Sequence, residues 1–417
     1  MNILRTGALT AIATAARLVS SFIVMKLVAV LGGPEGVAQF GQFMSIATLL
    51  VVFAGGGVGP GVVKYVAEMR SSPAAIQQLV RSALAFTIVF SVIMCVGILM
   101  FVDWIATNLL GDPQFRSLIV VLAFTQLFVA LHNLIVAIVN GLMDIKRLTM
   151  IHVIGAVVGT LLPLALGYTH GLYGVLLAYI LAQASMLVIS FIVFGASADF
   201  TKAWLVPALN KQTLVQLSRF SVMTLTSALL APLVQVWVRN ILSERFSWEV
   251  VGYWQAVSKV SEAYLLFITM AISVYYLPRL SAVSDKKTFV LEITKGYTYL
   301  MPVVCLMAIA IYLMRDLVTR ILFAEGFEGA LPLYAPQLLG DVIKIASFML
   351  SYIMLAKAMT RLFILSEVCF SLMYVGWVVL LTNYWGIAGA MYAFIANYVV
   401  YLAFTFFVAK FQIRSMS

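Results

Sequence analysis

The sequence predicts an all-α polytopic membrane protein, with twelve transmembrane helices in two six-helix lobes around a central cavity. Three observations predict it. The chain has 417 residues, of which 63% are hydrophobic and 10% charged, with a mean hydropathy of +1.06. A soluble globular chain is about half apolar and about a quarter charged. The apolar runs are long and continuous, which lipid permits only as helices; barrel strands would be about 10 residues long and alternating. Finally, landmark residues recur at a near-constant offset of 214 positions.

Taken in order, the runs are 6–31, 37–66, 79–102, 115–139, 148–168, 172–195, 212–242, 250–278, 290–314, 332–356, 361–382 and 386–409. The first is long, holds Arg17 and lacks a small-residue cleavage site after a short core, so no cleavable signal is expected. The second contains GGGVGPG, Gly55 to Gly61. Without a following Gly-Lys-Ser/Thr this is no nucleotide loop. It predicts a kink, because Pro60 removes a donor and glycines permit bending. His132, Asn133 and Asn140 polarise the fourth run, and a satisfied buried histidine is the commoner reading there than a proton site. Gln39, Gln42 and Gln126 are candidates to line the cavity, while Asp144, Lys146 and Arg147 read as a solvated inner loop. Tyr253, Trp254, Tyr275 and Tyr276 read as interface anchors. Cys95, Cys305 and Cys369 lie in apolar runs with no pairing pattern, which predicts free thiols.

Basic residues give the orientation. With the N-terminus inside, the inner loops and ends hold most of the Lys and Arg, among them Arg5, Lys64, Arg70, Arg81, Lys146, Arg147, Lys202, Lys211, Arg219, Lys286, Lys287, Lys357, Arg361 and Lys410. The other side holds only Arg116, Arg245, Arg315 and Arg320. The positive-inside rule then puts both termini in the cytoplasm and accounts for the net charge of +10 without nucleic acid.

The repeat divides the chain. Arg5 and Arg219 open runs one and seven, 214 positions apart; Arg147 and Arg361 open runs five and eleven at the same offset. GLYG at Gly171 and GIAG at Gly386 precede runs six and twelve. Two six-span lobes follow, residues 1–197 and 212–417, joined by a cytoplasmic linker at 198–211. An even number of spans makes the repeats parallel, and transporters so built bind near the midplane between halves.

Charges inside the runs are the candidate site. They are Arg17, Lys26, Arg239, Lys259 and Lys344, with Glu262, Asp341 and Glu367. Ionisable groups at membrane depth are costly and mark function. Lys259 and Glu262 are three apart, as are Asp341 and Lys344, which places each pair on one helix face. The alternatives are snorkelling for Lys26 and Arg239, internal salt bridges for the two pairs, and a packing or inner-mouth charge for Glu367. Arg17 sits too deep to snorkel easily. The cationic excess suits an anionic substrate better than a cationic one, and so opposes a drug or cation antiporter. A membrane enzyme needs a large outer loop with convergent catalytic groups; the longest here, about 315–331, is short and poor in them. No cofactor is expected, and no Walker motif offers ATP as a driver.

GGPEGVAQFGQF with GVVKYVAE, GYWQAVSKVSEAYLLFIT with SVYYLPRLS, and QLLGDVIK resemble the Wzx-type translocases, the flippases of O-antigen and enterobacterial common antigen units. The resemblance runs over most of the chain and is densest in runs two, eight and ten. It implies the multidrug/oligosaccharidyl-lipid/polysaccharide exporter fold of twelve helices around a central cavity. It further implies flipping of an undecaprenyl-pyrophosphate-linked oligosaccharide to the periplasmic leaflet of the inner membrane. The implied partners are that substrate, membrane lipid, H+ or another coupling ion, and the polymerase and chain-length proteins of the same pathway. The family's functional charges would correspond to Arg17, Lys26, Lys259, Glu262, Asp341 and Lys344. Glu262 or Asp341 would be the titrating group if transport is ion-coupled, although a carboxylate beside a lysine resists titration.

Overall fold

The computed structural model describes residues 3–197, 200–272, 276–283, 285–357 and 359–415. Among these the regular structure is helical, without a strand. The order begins α1 (Ile3–Ala54), α2 (Gly59–Glu68), α3 (Pro73–Met100), the single turn α4 (Val102–Trp104), α5 (Arg116–Gly141), α6 (Ile145–Gly195) and α7 (Lys211–Arg245). It continues with α8 (Trp248–Ala271), α9 (Leu277–Ala282), α10 (Lys286–Leu313), α11 (Arg315–Leu322), α12 (Tyr334–Ala356), α13 (Thr360–Trp385) and α14 (Ala388–Ser415). Each of the twelve expected runs overlaps a helix of this series.

Among the described residues eight helices are long and apolar enough to cross a membrane. Two of them, α1 counted from Leu9 and α6, run for 46 and 51 residues. At 1.5 Å per residue each exceeds a hydrocarbon core of about 30 Å more than twofold, so neither is one span. A single glycine divides each: Gly33 in α1, at φ 58° and ψ −157°, and Gly171 in α6, at φ 60° and ψ −145°. That combination of left-handed φ and extended ψ is open essentially to glycine alone. Pro34 then suits the first turn of the restarting helix, where its missing N–H costs nothing.

Gly386, between α13 and α14, adopts the same conformation at φ 57° and ψ −143°. The second glycines of the two motifs match as well. A Cβ on Gly174 would stand 2.0 Å from the Leu166 carbonyl oxygen, and one on Gly389 would stand 2.4 Å from that of Leu381. GLYG and GIAG thus fold alike. Between α7 and α8 the turn is made differently: Ser247 is extended, and its hydroxyl accepts the Val250 N–H at 3.3 Å. The GGGVGPG stretch breaks the chain as expected. α1 ends at Ala54, Gly56 and Gly57 take φ of 62° and 64°, and α2 restarts with Pro60 in its first turn.

The chain forms two compact units. The first comprises Met1–Gly32 and Gln39–Val236, the second Gly33–Ala38 and Trp237–Ser417. This division by packing falls within α7, whereas the division by repeat falls at 198–211. In the first unit Val62, Val66, Leu79, Ala83, Ile138 and Leu217 are buried together. Residues 200–210 of the expected linker lie against this unit; 198 and 199 are outside the described residues. Trp204 stacks on Phe194 at 5.6 Å, and Arg81 Nε donates to the Val206 carbonyl at 2.8 Å. In the second unit α12 packs chiefly on α14 and α10, burying Ile345, Met349, Ile353 and Met391.

Two smaller expectations change and a third holds. Asp144 is not simply solvated: it caps α6 by accepting the Arg147 N–H at 3.1 Å and ion-pairs with the Arg147 guanidinium. Trp254 and Tyr276 are buried rather than interfacial, and Tyr253 donates to Glu249 Oε1 at 2.5 Å. Tyr275 lies outside the described residues. The thiols of Cys95, Cys305 and Cys369 are free.

Candidate functional site

In the first unit a cavity of about 280 Å³ opens among α1, α5 and α6. The spacing of side chains explains it. α1 presents Arg17, Ser20 and Ser21 at i, i+3 and i+4, on one face. α6 presents His152, Gly155, Ala156 and Gly159 with the same periodicity, and its small residues leave the space. Beyond the Gly171 break α6 adds Tyr179, Gln183 and Met186, and α5 adds His132. Thr160 Oγ1 donates to Ser20 Oγ at 2.8 Å, and Tyr179 packs edge-on against Phe40 with centroids 5.8 Å apart. Arg17 is exposed on this wall. Among the described residues lining the cavity there is no Asp or Glu. His132 Nδ1 is buried with no hydrogen-bond partner.

The second unit holds a connected set of charges. Asp341 of α12 is completely buried. Its Oδ1 accepts from Ser261 Oγ at 2.7 Å and from Gln337 Nε2 at 2.9 Å, and its Oδ2 accepts from Tyr264 OH at 2.9 Å. Three neutral donors therefore satisfy a buried carboxyl. Lys344 turns the other way, with Nζ 5.6 Å from the ring centroids of Phe348, Phe394 and Tyr398. Arg239 is 3% exposed; its Nε donates to Gln255 Oε1 at 2.8 Å and its guanidinium lies 5.9 Å from the Trp254 ring centroid. Lys259 Nζ donates to Glu262 Oε2 at 2.6 Å, half-exposed on the Glu side.

The candidate residues thus fall into two places. Arg17 joins His132 and His152 at the first-unit cavity, and Lys26 is half-buried elsewhere in α1. Arg239, Lys259, Glu262, Asp341, Lys344 and Glu367 belong to the second unit. Of the two i,i+3 pairs, only Lys259–Glu262 forms a salt bridge. Asp341 and Lys344 diverge because the first reaches back to α8 and the second across to α14. Lys344 still acts electrostatically on both Asp341 and Glu367. Snorkelling does not describe Arg239, which is buried. Gln39, Gln42 and Gln126 do not line the first-unit cavity. Gln42 and Gln126 are packing ties instead, donating to the carbonyls of Leu109 at 2.8 Å and Ser91 at 2.7 Å.

Sequence reasoning missed His152, Tyr179 and Gln183, and the donors Ser261, Tyr264 and Gln337. One signal was available: Gln337 and Asp341 are four apart, as are Tyr179 and Gln183, so each pair shares a helix face.

Comparison with known proteins places these features. A family model described as polysaccharide biosynthesis protein matches residues 36–332. The lipid III flippases of Escherichia coli (strain K12) and Shigella flexneri are each 31% identical over 404 residues, 97% of either chain. Among solved structures, an inward-facing multidrug resistance MATE family transporter of the MOP superfamily has a TM-score of 0.81 at 15% identity, covering 97% of this chain and 95% of that one. An outward-facing MATE transporter gives 0.69 at 14% identity, covering 100% and 96%. A MOP superfamily transporter from Pyrococcus furiosus gives 0.67 at 14% identity, covering 99% and 96%. At such identities these structures establish the fold alone. A multi-pass helical chain of MATE-like fold, matched end to end by two curated flippases, belongs to the polysaccharide biosynthesis protein family.

Proposed function

We propose that this protein is a flippase, and not an enzyme. It moves an undecaprenyl-pyrophosphate-linked oligosaccharide, a lipid III or O-antigen unit, from the cytoplasmic to the periplasmic leaflet by alternating access. The observation that carries this reading is the 31% identity over 97% of the chain to proteins named lipid III flippase. The first-unit cavity suits the chemistry: it exposes Arg17 and no carboxylate. A pyrophosphate cannot enter hydrocarbon unaided, and a preformed cationic wall replaces part of its water.

In this reading the protein resides in the inner membrane with both termini in the cytoplasm, as the Lys and Arg distribution favours. Residues 1–197 and 212–417 form the two lobes, joined by 198–211. Arg17, Lys26, Arg239, Lys259 and Lys344 serve the substrate. Glu262, Asp341 and Glu367 are the groups available for coupling to H+ or another ion. Polymerase and chain-length proteins of the same pathway are its neighbours. A drug or cation antiporter of the same superfamily is the competing reading, and it requires an acidic cavity.

Arg17→Ala is the direct test. Expressed at normal levels in cells lacking their own flippase, it abolishes export of the lipid-linked sugar. Normal export removes Arg17 from the site. Coupling is tested separately in vesicles. Asp341→Asn slows flipping if protons drive it, and full wild-type activity with the proton gradient collapsed ends that idea.

A further inference from the structure

The flippase reading leaves two of the cavity's basic groups without a role. We propose that the first-unit cavity is a proton-linked site for a pyrophosphate diester, in which His132 and His152 supply the positive charge that Arg17 alone lacks. The inference rests on the proposed substrate class and deepens it.

Charge comes first. A pyrophosphate diester carries two negative charges at neutral pH, and Arg17 carries one positive charge. A buried charge left uncompensated is costly. Among the described residues the titratable groups lining the space are Arg17 from α1, His132 from α5, and His152 and Tyr179 from α6. Besides Arg17, the groups on this wall able to carry positive charge are the two imidazoles. Histidine is the side chain whose ordinary titration range straddles neutrality.

The geometry agrees. All three line one cavity, where Arg17 acts on His152 and His152 on His132 as like charges, so the three basic groups are linked in a chain. The His132 ring faces the Met186 backbone, yet its Nδ1 is a buried polar atom without a hydrogen-bond partner, which in a native structure calls for an explanation. An anion or a bridging water in the cavity supplies that partner. The size fits a headgroup fragment: about 280 Å³ is at the small end of ligand pockets, which run from about 300 to 1,000 Å³. Ser20, Ser21 and Gln183 add neutral hydrogen-bonding groups to the wall.

Linkage then follows. In the empty cavity a second cation beside Arg17 is opposed by like charge; a bound anion favours it. Proton and anion therefore bind together, and each raises the affinity for the other by the same factor.

The test uses the full-length protein in detergent with citronellyl pyrophosphoryl glucose, a short-chain diester whose own charge is constant between pH 5.5 and 8. Linkage to one proton makes binding about five- to tenfold tighter at pH 5.5 than at pH 8. His132→Gln with His152→Gln binds more weakly and with no dependence on pH, whereas Arg17→Gln loses binding at both values. An equal Kd at both pH values in the unmodified protein overturns the proposal, as does an undiminished slope in the double variant. Should the double variant fail to fold, ¹⁵N-histidine spectra of the unmodified protein decide. The chain has three histidines, and adding the probe at pH 7 moves one cavity histidine, or both in part, toward the imidazolium signature; no change overturns the proposal. A flat slope together with lost export in Arg17→Ala sinks this inference alone. Normal export in Arg17→Ala sinks the assigned substrate site beneath it.

Discussion

Arg17 in the first unit and the candidate charges of the second are held in opposite ways. The first leaves Arg17 exposed on a cavity wall with no carboxylate beside it. The second gives four of its candidate charges a fitted neighbour: Gln255 for Arg239, Glu262 for Lys259, three rings for Lys344, and three donors for Asp341. A charge with fitted neighbours is bound up with stability, because removing it strands its partners. A charge without them contributes little to the fold and is free to meet a ligand. The comparison therefore teaches which substitutions should damage the protein and which only its activity.

The sharpest way to break it is Asp341→Ala against Arg17→Ala, with both followed by thermal unfolding in detergent. Losing the carboxyl strands the Ser261, Tyr264 and Gln337 donors in the interior, and stability falls by about 3 kcal/mol. Arg17→Ala stays within about 0.5 kcal/mol of the parent. Equal losses in the two variants would erase the distinction.

Next in size are Gly174→Ala and Gly389→Ala, one in each unit. Each new methyl meets a carbonyl oxygen of its own helical hairpin, at a cost of about 2 kcal/mol. The two costs should agree within about 0.5 kcal/mol, since the motifs fold alike. A large disparity would show that the repeat is one of sequence and not of energetics.

Smaller still is Phe394→Leu, which removes one of three rings around Lys344 and costs about 1 kcal/mol. Adding Lys344→Met to the same background should remove most of that penalty; an undiminished penalty would mean the ring serves packing alone. The least effect belongs to Glu262→Gln. Its side chain is 52% exposed, and such pairs contribute about 0.5 kcal/mol or less. A loss above about 1.5 kcal/mol would contradict the exposure.

The fold was largely legible because its determinants are one-dimensional. Run length requires helices in lipid, and glycine at 33, 171 and 386 announces backbone that other residues avoid. The site was legible only in part. Lys259–Glu262 and Asp341–Lys344 have the same spacing in sequence, yet one pair closes and the other opens. What separates them is distant: Ser261 and Tyr264 lie 80 and 77 positions before Asp341, and Phe394 lies on another helix. Spacing along a helix decides which residues could touch; only the neighbouring helices decide whether they do. His152 was overlooked for a similar reason, since Arg17, His132 and His152 converge only once α1, α5 and α6 have packed.

Lys344 has one more implication. Its hold is the quadrupole of three aromatic faces, which neither gains nor loses protons. Neutralising Asp341 and Glu367 would take away their attraction for the ammonium and leave the aromatic part of that grip intact.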